Sequence, residues 1–349
     1  MRTLAETYDV ALIDLDGVVY VGPDAIDHAA AALAEARRAG MRLAFVTNNA
    51  ARPPHTVAEH LGRLGVGVDV DEVITSAQAA ARVLADELPA GARVLVVGGE
   101  GLAVALSERG LTPVSSADAE PAAVASGFHP DVGWRLLAEG AFAVATGILW
   151  VASNTDRTLP TPRGIAPGNG TLVDAVRSAT GRDPIVAGKP EPPMHREMVL
   201  RTGARRPLVV GDRLDTDIEG ARRAGVDSLL VLTGVTGPAQ LVNAPPRHRP
   251  TFLAEDLRAL AEPPDALAVA PGLVGHGGFR AAVERGRIVV DRPESRPGGR
   301  FIDALRAICG AAWAATDQGE RVAGVDAALV EADRRTHAQP GASERRTTT

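Results

Sequence analysis

The sequence has 349 residues, 45% of them hydrophobic but only 3% aromatic, with a formal net charge of −6 at pH 7. This length predicts two or three domains, and the acidic balance gives no reason to expect nucleic acid as a partner. A single cysteine, Cys309, excludes a disulfide framework and a cysteine-based zinc site within one chain. Because no apolar run approaches the roughly 18 residues of a membrane span, and no basic-then-apolar leader opens the chain, we expect a cytoplasmic protein without membrane association.

The first strand is predicted over Val10 to Leu15, a short apolar run rich in β-formers. Two carboxylates, Asp14 and Asp16, stand at its end, and Gly17 follows them. Ligands bind at the carboxyl ends of strands in open α/β sheets, and a glycine there lets the backbone approach a ligand closely. An aspartate nucleophile beside an aspartate acid or base can split phosphoryl transfer into two steps. The alternative is a strand end capped by solvated acids.

The next segment predicts a βαβ unit. A helix is expected from Asp27, as N-cap, to Gly40, and a strand over Arg42 to Val46. At this spacing the two strands should be parallel neighbours, which brings Thr47-Asn48-Asn49 to the same sheet edge as Asp14. A hydroxyl and an amide there can donate to phosphate oxygens. Their alternative role is to cap a helix predicted from about Pro54.

A self-contained block follows, from Gln78 to Pro184, with enough predicted elements to bury its own core. The elements predicted around and within it are the strand Glu72–Thr75, a helix Ser76–Leu88 with Ser76 as N-cap, strands Arg93–Val97, Ala122–Ser126, Phe142–Ala145 and Leu149–Ala152, and helices Gly101–Arg109, Trp134–Ala138 and Leu172–Ser178.

After this block the chain is expected to return to the first sheet. A predicted strand over Pro184 to Ala187 precedes Lys189, and the apolar strand Pro207 to Val210 ends at Gly211-Asp212. The remaining predicted elements are helices Pro192–Arg201, Thr216–Ala224 and Phe252–Leu260, and the strand Val226–Leu232.

Polar groups therefore follow four predicted strand ends: Asp14 and Asp16, then Thr47 and Asn48, then Lys189, then Asp212. In a parallel sheet these ends converge on one crevice. Asp14 and Asp212 offer the hard oxygen ligands that Mg²⁺ prefers, and such a cation offsets repulsion between an anionic nucleophile and a phosphate monoester. Taken singly, a lysine near a turn is usually a solvated charge, but the ordered set favours a phosphoryl site.

These motifs resemble the haloacid dehalogenase superfamily of phosphatases, in the subgroup with a C2-type (IIA) α/β cap inserted between the second and third motifs. The matching runs are D-L-D-G-V-V-Y (14–20), T-N-N (47–49), S-N-T-D (153–156), P-T-P-R-G (160–164), P-G-N-G (167–170), G-K-P (188–190) and G-D-R-L-D-T-D-I (211–218). The resemblance covers residues 8 to 260. It implies an α/β fold with a Rossmann-like doubly wound parallel sheet core (1–77 and 185–262) and an inserted α/β cap domain (78–184).

The resemblance also implies a role for each motif residue. Asp14 would be the nucleophile that becomes an aspartyl phosphate, and Asp16 would protonate the leaving alcohol and then activate water. Superfamily dehalogenases lack this acid, so Asp16 favours phosphoryl transfer. Mg²⁺ would be held by Asp14, the backbone carbonyl of Asp16, and Asp212, with Asp217 supporting the metal ligands. The implied phosphoryl and substrate contacts are Gly17, Thr47, Asn48, Asn49 and Lys189.

Substrate choice is expected to lie in the cap, which closes over the leaving group. Where relatives often have Gly-Phe-Asp followed by a tyrosine, this chain has Gly127-Phe128-His129-Pro130-Asp131 and then Trp134. His129 either lines the leaving-group pocket or simply packs or caps a turn. The overall pattern most resembles the glycerol 3-phosphate phosphatases of the family. It implies a Mg²⁺-dependent phosphatase of small phosphomonoesters, with glycerol 3-phosphate as the first candidate.

Other functions stay open on the sequence. The same chemistry on pyridoxal phosphate, a nucleotide or phosphoglycolate is one alternative, and a binding or scaffold protein on a phosphatase fold is another. Homo-oligomer formation is compatible with the sequence.

Beyond Pro263-Pro264, no motif defines a function. A small C-terminal α/β module is expected over 265–335, with a strand at Arg287–Val290 and helices around Arg300–Ala307 and Val325–Ala332. One hypothesis is a reduced module resembling part of an acetyltransferase-like fold, although no clear glycine-rich pyrophosphate loop is visible. The favoured alternative is a packing or dimerisation module, whose removal at Pro264 should leave phosphatase activity measurable. The polar residues 336–349 are predicted to be disordered.

Overall fold

The computed structural model describes residues 1–161, 163–292 and 299–337. Its centre is a six-stranded sheet, called the main sheet here, in which all neighbouring strands are parallel. In spatial order its strands are Phe252–Ala254, Asp227–Val231, Pro207–Gly211, Val10–Asp14, Arg42–Thr47 and Val73–Thr75.

The strand Val10–Asp14 is central in the main sheet because it is apolar on both faces. Ala11 and Ile13 pack into one hydrophobic cluster, and Val10 and Leu12 pack into a second on the opposite face, as expected for a parallel strand covered by helices on both sides. The helices on the first face are Ala29–Arg38 and Pro54–Arg63, and those on the second are Ser76–Glu87, Pro192–Thr202 and Glu219–Ala224. The predicted doubly wound core is confirmed.

The inserted block forms a second parallel sheet of five strands, the cap sheet. In spatial order the strands are Ile185–Val186, Leu149–Ala152, Ala123–Ser126, Arg93–Val97 and Thr112–Val114; the helices are Glu100–Glu108, Trp134–Ala145 and Asn169–Thr180. A hairpin of Thr158–Thr161 and Gly164–Pro167 projects from this block. Ile185–Val186 was expected to return to the main sheet, but it pairs with Leu149–Ala152 and so extends the cap sheet.

The C-terminal module is a three-stranded antiparallel sheet covered by two helices. Its strands are Gly275–His276, Phe279–Glu284 and Arg287–Asp291, and its helices are Phe301–Asp317 and Val325–His337. The last helix includes the first two residues of the predicted disordered tail, and residues 338–349 lie outside the described residues. In the part of the chain that the structure describes, no helix is long and apolar enough to cross a membrane.

Shorter elements connect these units. They are helices Leu4–Thr7 and Pro238–Val242, a hairpin of Tyr20–Val21 and Asp24–Ala25, a π-helical turn Leu214–Ile218, and 3₁₀ turns Val70–Glu72, Ala117–Ala119, Pro246–His248, Leu257–Ala261 and Pro264–Ala266.

Two apolar runs adopt a different structure from the one predicted. Phe142–Ala145, predicted as a strand, is the end of the single helix Trp134–Ala145. Gly140 lets this helix lie directly on the cap sheet, because a Cβ there would be 2.6 Å from a methyl of Val97. Conversely, Phe252–Ala254 is an edge strand of the main sheet, and only a 3₁₀ turn follows it. Short apolar runs do not distinguish a strand from a buried helix by their periodicity.

Two predicted helix caps are also wrong. The helix Ala29–Arg38 begins after His28, which has a left-handed backbone, so Asp27 does not cap it. Thr75, rather than Ser76, caps the helix Ser76–Glu87: its Oγ1 accepts from the Gln78 N–H, and Gln78 Oε1 accepts from the Thr75 N–H. This reciprocal pair is a capping box, which frees the Ser76 hydroxyl for another partner.

Candidate active site

Three adjacent strands of the main sheet end at one edge and present the predicted residues there. Asp14 ends the central strand, Thr47 ends its neighbour on one side, and Asp212 follows Pro207–Gly211 on the other side. Lys189 reaches the same edge on the segment after the last strand of the cap sheet. Asp14, Thr47 and Lys189 line a cavity of about 580 Å³ between the main sheet and the cap, and an oxygen of Asp212 lies within 4.8 Å of an oxygen of Asp14. The predicted convergence on one crevice is therefore observed.

A tight turn after Asp14 brings the backbone against Asp212. Gly17 has a φ of +83°, and a Cβ at this position would lie 2.5 Å from Asp212 Oδ2. The Thr233 hydroxyl donates to the Gly17 carbonyl at 2.6 Å and fixes the turn from the other side. Glycine is required here both by its backbone conformation and by the close approach.

Lys189 is held between two carboxylates. Its Nζ donates to Asp14 Oδ1 at 2.5 Å and to Asp217 Oδ1 at 2.8 Å, with its side chain only 8% exposed. Burial alone would lower the pKa of Lys189, but the two carboxylates outweigh it and the pKa is raised. The lysine therefore carries its positive charge at neutral pH.

The pKa of Asp14 is raised well above its usual range. Burial is the main cause, and the charges of Asp217 and Asp212 add to it, while Lys189 opposes them. A cluster of three carboxylates with one ammonium thus has excess negative charge. A bound cation would relieve this repulsion.

Asp212 has an oxygen without a protein partner. The side chain is fully buried; its Oδ2 accepts from the Val235 N–H at 2.6 Å, while its Oδ1 has no hydrogen-bond partner among the described residues. Burial, with the nearby charge of Asp217, raises the pKa of Asp212 to about 6. One oxygen each from Asp14, Asp212 and Asp217 lies within 4.8 Å of the others. Because buried carboxylate oxygens are normally paired, this set fits a hard divalent cation.

Asp16 faces the cavity from the turn after Asp14. Its Oδ2 accepts from the Tyr20 hydroxyl at 3.4 Å. Asp16 is exposed to the cavity, but the protein atoms that surround its carboxyl still raise its pKa, and the positive charge of Arg52 opposes this shift. A carboxyl with a raised pKa beside a candidate nucleophile is suited to donate a proton.

Asn48 connects the two sides of the cavity. Its Oδ1 accepts from the Lys189 N–H at 2.8 Å, and its Nδ2 donates to the Lys189 carbonyl and to Asp156 Oδ2, both at 3.1 Å. The freed Ser76 hydroxyl and the Asn154 amide both donate to the Asn48 carbonyl. The contacts of its amide group therefore position Lys189.

Thr47 and Asn49 support the same turn. Thr47 Oγ1 accepts from the Asn49 N–H at 3.0 Å, and Asn49 Oδ1 accepts from the Ala51 N–H at 2.9 Å. The alternative that this segment caps the next helix is wrong, since the helix Pro54–Arg63 has Pro53 at its N-cap and no side-chain cap.

His129 does not line the cavity, which contradicts one of its two predicted roles. Among the described residues of this loop, Phe128 reaches the cavity instead. The His129 Nδ1 accepts from the Asp131 N–H at 3.2 Å, and the ring lies so close to Gly99 that a Cβ there would clash with it. His129 therefore caps a turn and packs.

Several cavity residues were not predicted as site residues. Asp156 and Asn169 come from the cap, Arg213 from the segment after Asp212, and Thr158 and Leu159 from the projecting hairpin. Burial raises the pKa of Asp156. The first two belong to the S-N-T-D and P-G-N-G runs, so the only available signal was the motif match.

Three family models match parts of this chain. A haloacid dehalogenase-like hydrolase model matches residues 11–112, and a HAD-hydrolase-like model matches residues 186–260. A GCN5-related N-acetyltransferase like domain model matches residues 276–335, in agreement with the hypothesis of an acetyltransferase-like module at the C-terminus.

Curated proteins and solved structures are similar over most of the chain. A D-glycerol 3-phosphate phosphatase from Mycobacterium tuberculosis is 46% identical over 90% of this chain and 88% of its own length. A crystal structure of a glycerol phosphate phosphatase from the same organism, in complex with magnesium, has a TM-score of 0.83, with 46% identity over 90% of this chain and 92% of that chain. An acid sugar phosphatase from Staphylococcus haemolyticus is 35% identical over 72% of this chain and 95% of its own length. More than a quarter of this chain therefore lies outside the latter match.

Proposed function

The chain belongs to the haloacid dehalogenase-like hydrolases and is a phosphoric monoester hydrolase, and from this premise we propose that it is a Mg²⁺-dependent phosphatase of glycerol 3-phosphate. The single observation that carries the proposal is the arrangement around Asp14. This half-buried carboxylate stands beside a charged lysine and two further aspartates, and it lines a cavity with room for a small phosphomonoester. The similarity to a D-glycerol 3-phosphate phosphatase over nine-tenths of the chain supports the substrate.

The residues present suit the Mg²⁺ ion that the proposal requires. Asp14, Asp212 and the backbone carbonyl of Asp16 would hold it, and the buried Oδ1 of Asp212, which has no partner among the described residues, is the observation that best fits such a cation. When bound, the ion offsets the repulsion between the nucleophile and the phosphate dianion and stabilises charge on the phosphoryl oxygens.

In the first proposed step, a carboxylate oxygen of Asp14 attacks phosphorus and the bond between phosphorus and the alcohol oxygen breaks. Asp16 gives its proton to that oxygen, so glycerol leaves as a neutral alcohol. Lys189 and Thr47 bind the phosphoryl oxygens, and Asp217 and Asn48 hold Lys189 in place. Lys189 contacts Asp14 directly, so its charge also favours the ionised nucleophile.

In the second step, Asp16 takes a proton from water, and the water oxygen attacks the aspartyl phosphate. The bond between phosphorus and the Asp14 oxygen breaks, which releases phosphate and restores both carboxyl groups. The cap residues that line the cavity exclude bulk water from the ester.

We also propose that function divides along the chain into a phosphatase core (1–77 and 185–262), a cap (78–184) and a C-terminal module (265–335). The pairing of Ile185–Val186 with the cap sheet moves one short strand across that boundary. Cytoplasmic location and homo-oligomer formation stay predictions from the sequence.

The test is phosphate release from glycerol 3-phosphate, pyridoxal phosphate, a nucleoside monophosphate, phosphoglycolate and p-nitrophenyl phosphate, with and without Mg²⁺. We expect metal-dependent turnover, fastest on glycerol 3-phosphate and abolished in Asp14→Asn. Fastest turnover on another ester would overturn the substrate. No turnover on any ester would overturn the activity and favour a scaffold protein.

The matched control is Asp9→Asn, directly before the opposite end of the same strand. The Asp9 carboxylate accepts from the N–H groups of Arg205 and Arg206, both at 2.9 Å, far from the cavity lining. This variant should lose some stability but keep its turnover.

A further inference from the structure

The C-terminal module shares a hydrophobic cluster with the segment that carries the metal carboxylate. Leu214 and Ile218, in the π-helical turn after Asp212, belong to one buried cluster with Ile308 and Trp313 of the helix Phe301–Asp317. The turn that presents Asp212 therefore lies on a core that the C-terminal module completes.

Hydrogen bonds at the two ends of one short backbone segment connect the module to the Asp212 carboxylate. Trp313 is 1% exposed, and its Nε1 donates to the carbonyl of Leu241 at 3.2 Å. Leu241 lies in the helix Pro238–Val242, which packs against both helices of the module. The loop just before this helix contacts Asp212 twice: the Val235 N–H donates to its Oδ2 at 2.6 Å, and the Thr236 N–H donates to its carbonyl at 3.2 Å.

A second contact fixes the segment just after the same helix. Arg249 is 4% exposed; its Nε donates to the carbonyl of Ala244 at 3.0 Å, and its Nη1 donates to both oxygens of Asp317 at 2.8 Å. Its guanidinium also lies 5.2 Å from the centre of the Trp313 ring. Two buried side chains thus hold the helix Pro238–Val242 against the module.

We infer that the C-terminal module is a positioning element of the phosphatase site, and that Trp313 is a positioning residue for the metal carboxylate Asp212. The inference rests on the proposed function for the identity of the metal. Trp313 fixes the helix, the helix fixes the N–H group of Val235, and that N–H group orients the Asp212 carboxylate, one oxygen of which lies within 4.8 Å of an oxygen of Asp14 and of Asp217. Groups that orient a ligand set its metal affinity.

This inference changes the expectation that the module is dispensable. A chain cut at Pro264 loses Ile308 and Trp313, and with them the cover of Leu214 and Ile218. The Asp212 turn would then lie on an open apolar surface. We therefore expect such a chain to bind Mg²⁺ poorly.

The test uses the full chain with Trp313→Phe, which keeps an aromatic ring in the core and removes the N–H donor. Isothermal titration calorimetry with Mg²⁺ alone should show binding weakened by about 10-fold, the lower end of the range for groups that support a metal ligand. The Mg²⁺ concentration for half-maximal turnover should rise by the same factor. Turnover at saturating Mg²⁺ should stay close to that of the wild type.

The matched control is Trp150→Phe in the cap. Trp150 is also buried, and its Nε1 donates at 2.8 Å to the hydroxyl of Ser126, a residue of the cap sheet and not of the segment that contacts Asp212. Both variants should lose thermal stability, and only Trp313→Phe should lose Mg²⁺ affinity. Equal Mg²⁺ affinity in the two variants would overturn the inference, because Trp313 would then act only on stability.

Asp317→Asn is a milder second variant for the case that Trp313→Phe does not fold. It weakens the hold on Arg249 at a partly exposed position, and it should lower Mg²⁺ affinity by less than the roughly 10-fold expected for Trp313→Phe. Unchanged affinity in this variant would count against the inference. Calorimetry needs no substrate, so the inference can fail or succeed even if the wild type hydrolyses none of the esters.

Discussion

Replacing Gly17 with alanine tests whether the turn after Asp14 controls the position of Asp212. An added Cβ would lie 2.5 Å from Asp212 Oδ2, whereas ordinary contacts begin near 3.5 Å, so the carboxylate must retreat by about 1 Å. A displacement of about 1 Å at a catalytic group can cost about 100-fold in rate. We expect Gly17→Ala to lose about 100-fold in phosphate release from glycerol 3-phosphate at saturating Mg²⁺. The left-handed backbone should cost a further 1–2 kcal/mol, roughly, in the free energy of unfolding.

Gly65→Ala separates the two effects. Gly65 has the same φ of +83°, but the nearest atom to an added Cβ is 4.0 Å away, on Ala30. Both variants should lose similar stability in urea unfolding, and only Gly17→Ala should lose activity. If the two variants have equal turnover, the close approach between Gly17 and Asp212 does not matter and the reasoning is refuted.

Three further predictions concern buried or half-buried side chains. Glu197 is fully buried and accepts from Arg82 and Arg201; these hydrogen bonds outweigh burial and hold its pKa below the usual 4.5. Glu197→Gln should therefore cost about 3 kcal/mol of unfolding free energy at pH 7. This difference from wild type should shrink as the pH falls below about 4.5, because the wild-type carboxylate becomes protonated. A difference in urea unfolding that stays constant across pH would show that the ionised Glu197 carboxylate is not what stabilises the protein. Burial raises the pKa of the Cys309 thiol, so a thiol reagent should label it only in denaturant, and rapid labelling of the native protein would contradict its burial. Asn48→Ala removes the side-chain amide that holds the Lys189 backbone. Because Lys189 would then be misplaced, kcat/KM should fall about 100-fold. A loss confined to thermal stability would show that Asn48 does not support catalysis.

The residues at strand ends were predictable because local sequence determines them. An apolar run followed by an acid predicts both a buried strand and a polar group at its carboxyl end, and Asp14 and Asp212 follow this rule. Their neighbours in space follow from the preference for parallel βαβ units. The main sheet and one edge of the site thus depend on short-range patterns.

The remaining contacts depend on tertiary placement that a single sequence does not encode locally. Asp156 reaches Asn48 across 108 positions of the chain, and no periodicity predicts that pairing. The side-chain amide of Asn48 accepts from the backbone N–H of Lys189. An asparagine at this position could equally well contact a phosphate, so the residue type alone does not predict this contact. Phe252–Ala254 forms a strand through its parallel pairing with Leu229–Val231, and this partner is not specified by the local sequence.

The edge strand Phe252–Ala254 also bears on self-association. Its outer side is occupied: the Leu253 N–H donates to the Leu267 carbonyl at 3.0 Å, and the Arg306 guanidinium donates to the Leu253 carbonyl at 2.6 Å. An uncovered apolar edge strand is a template for pairing with another chain. The segment after Pro264 thus closes the main sheet on this side, and a chain that ends before it would expose a site for intermolecular β-pairing and aggregation.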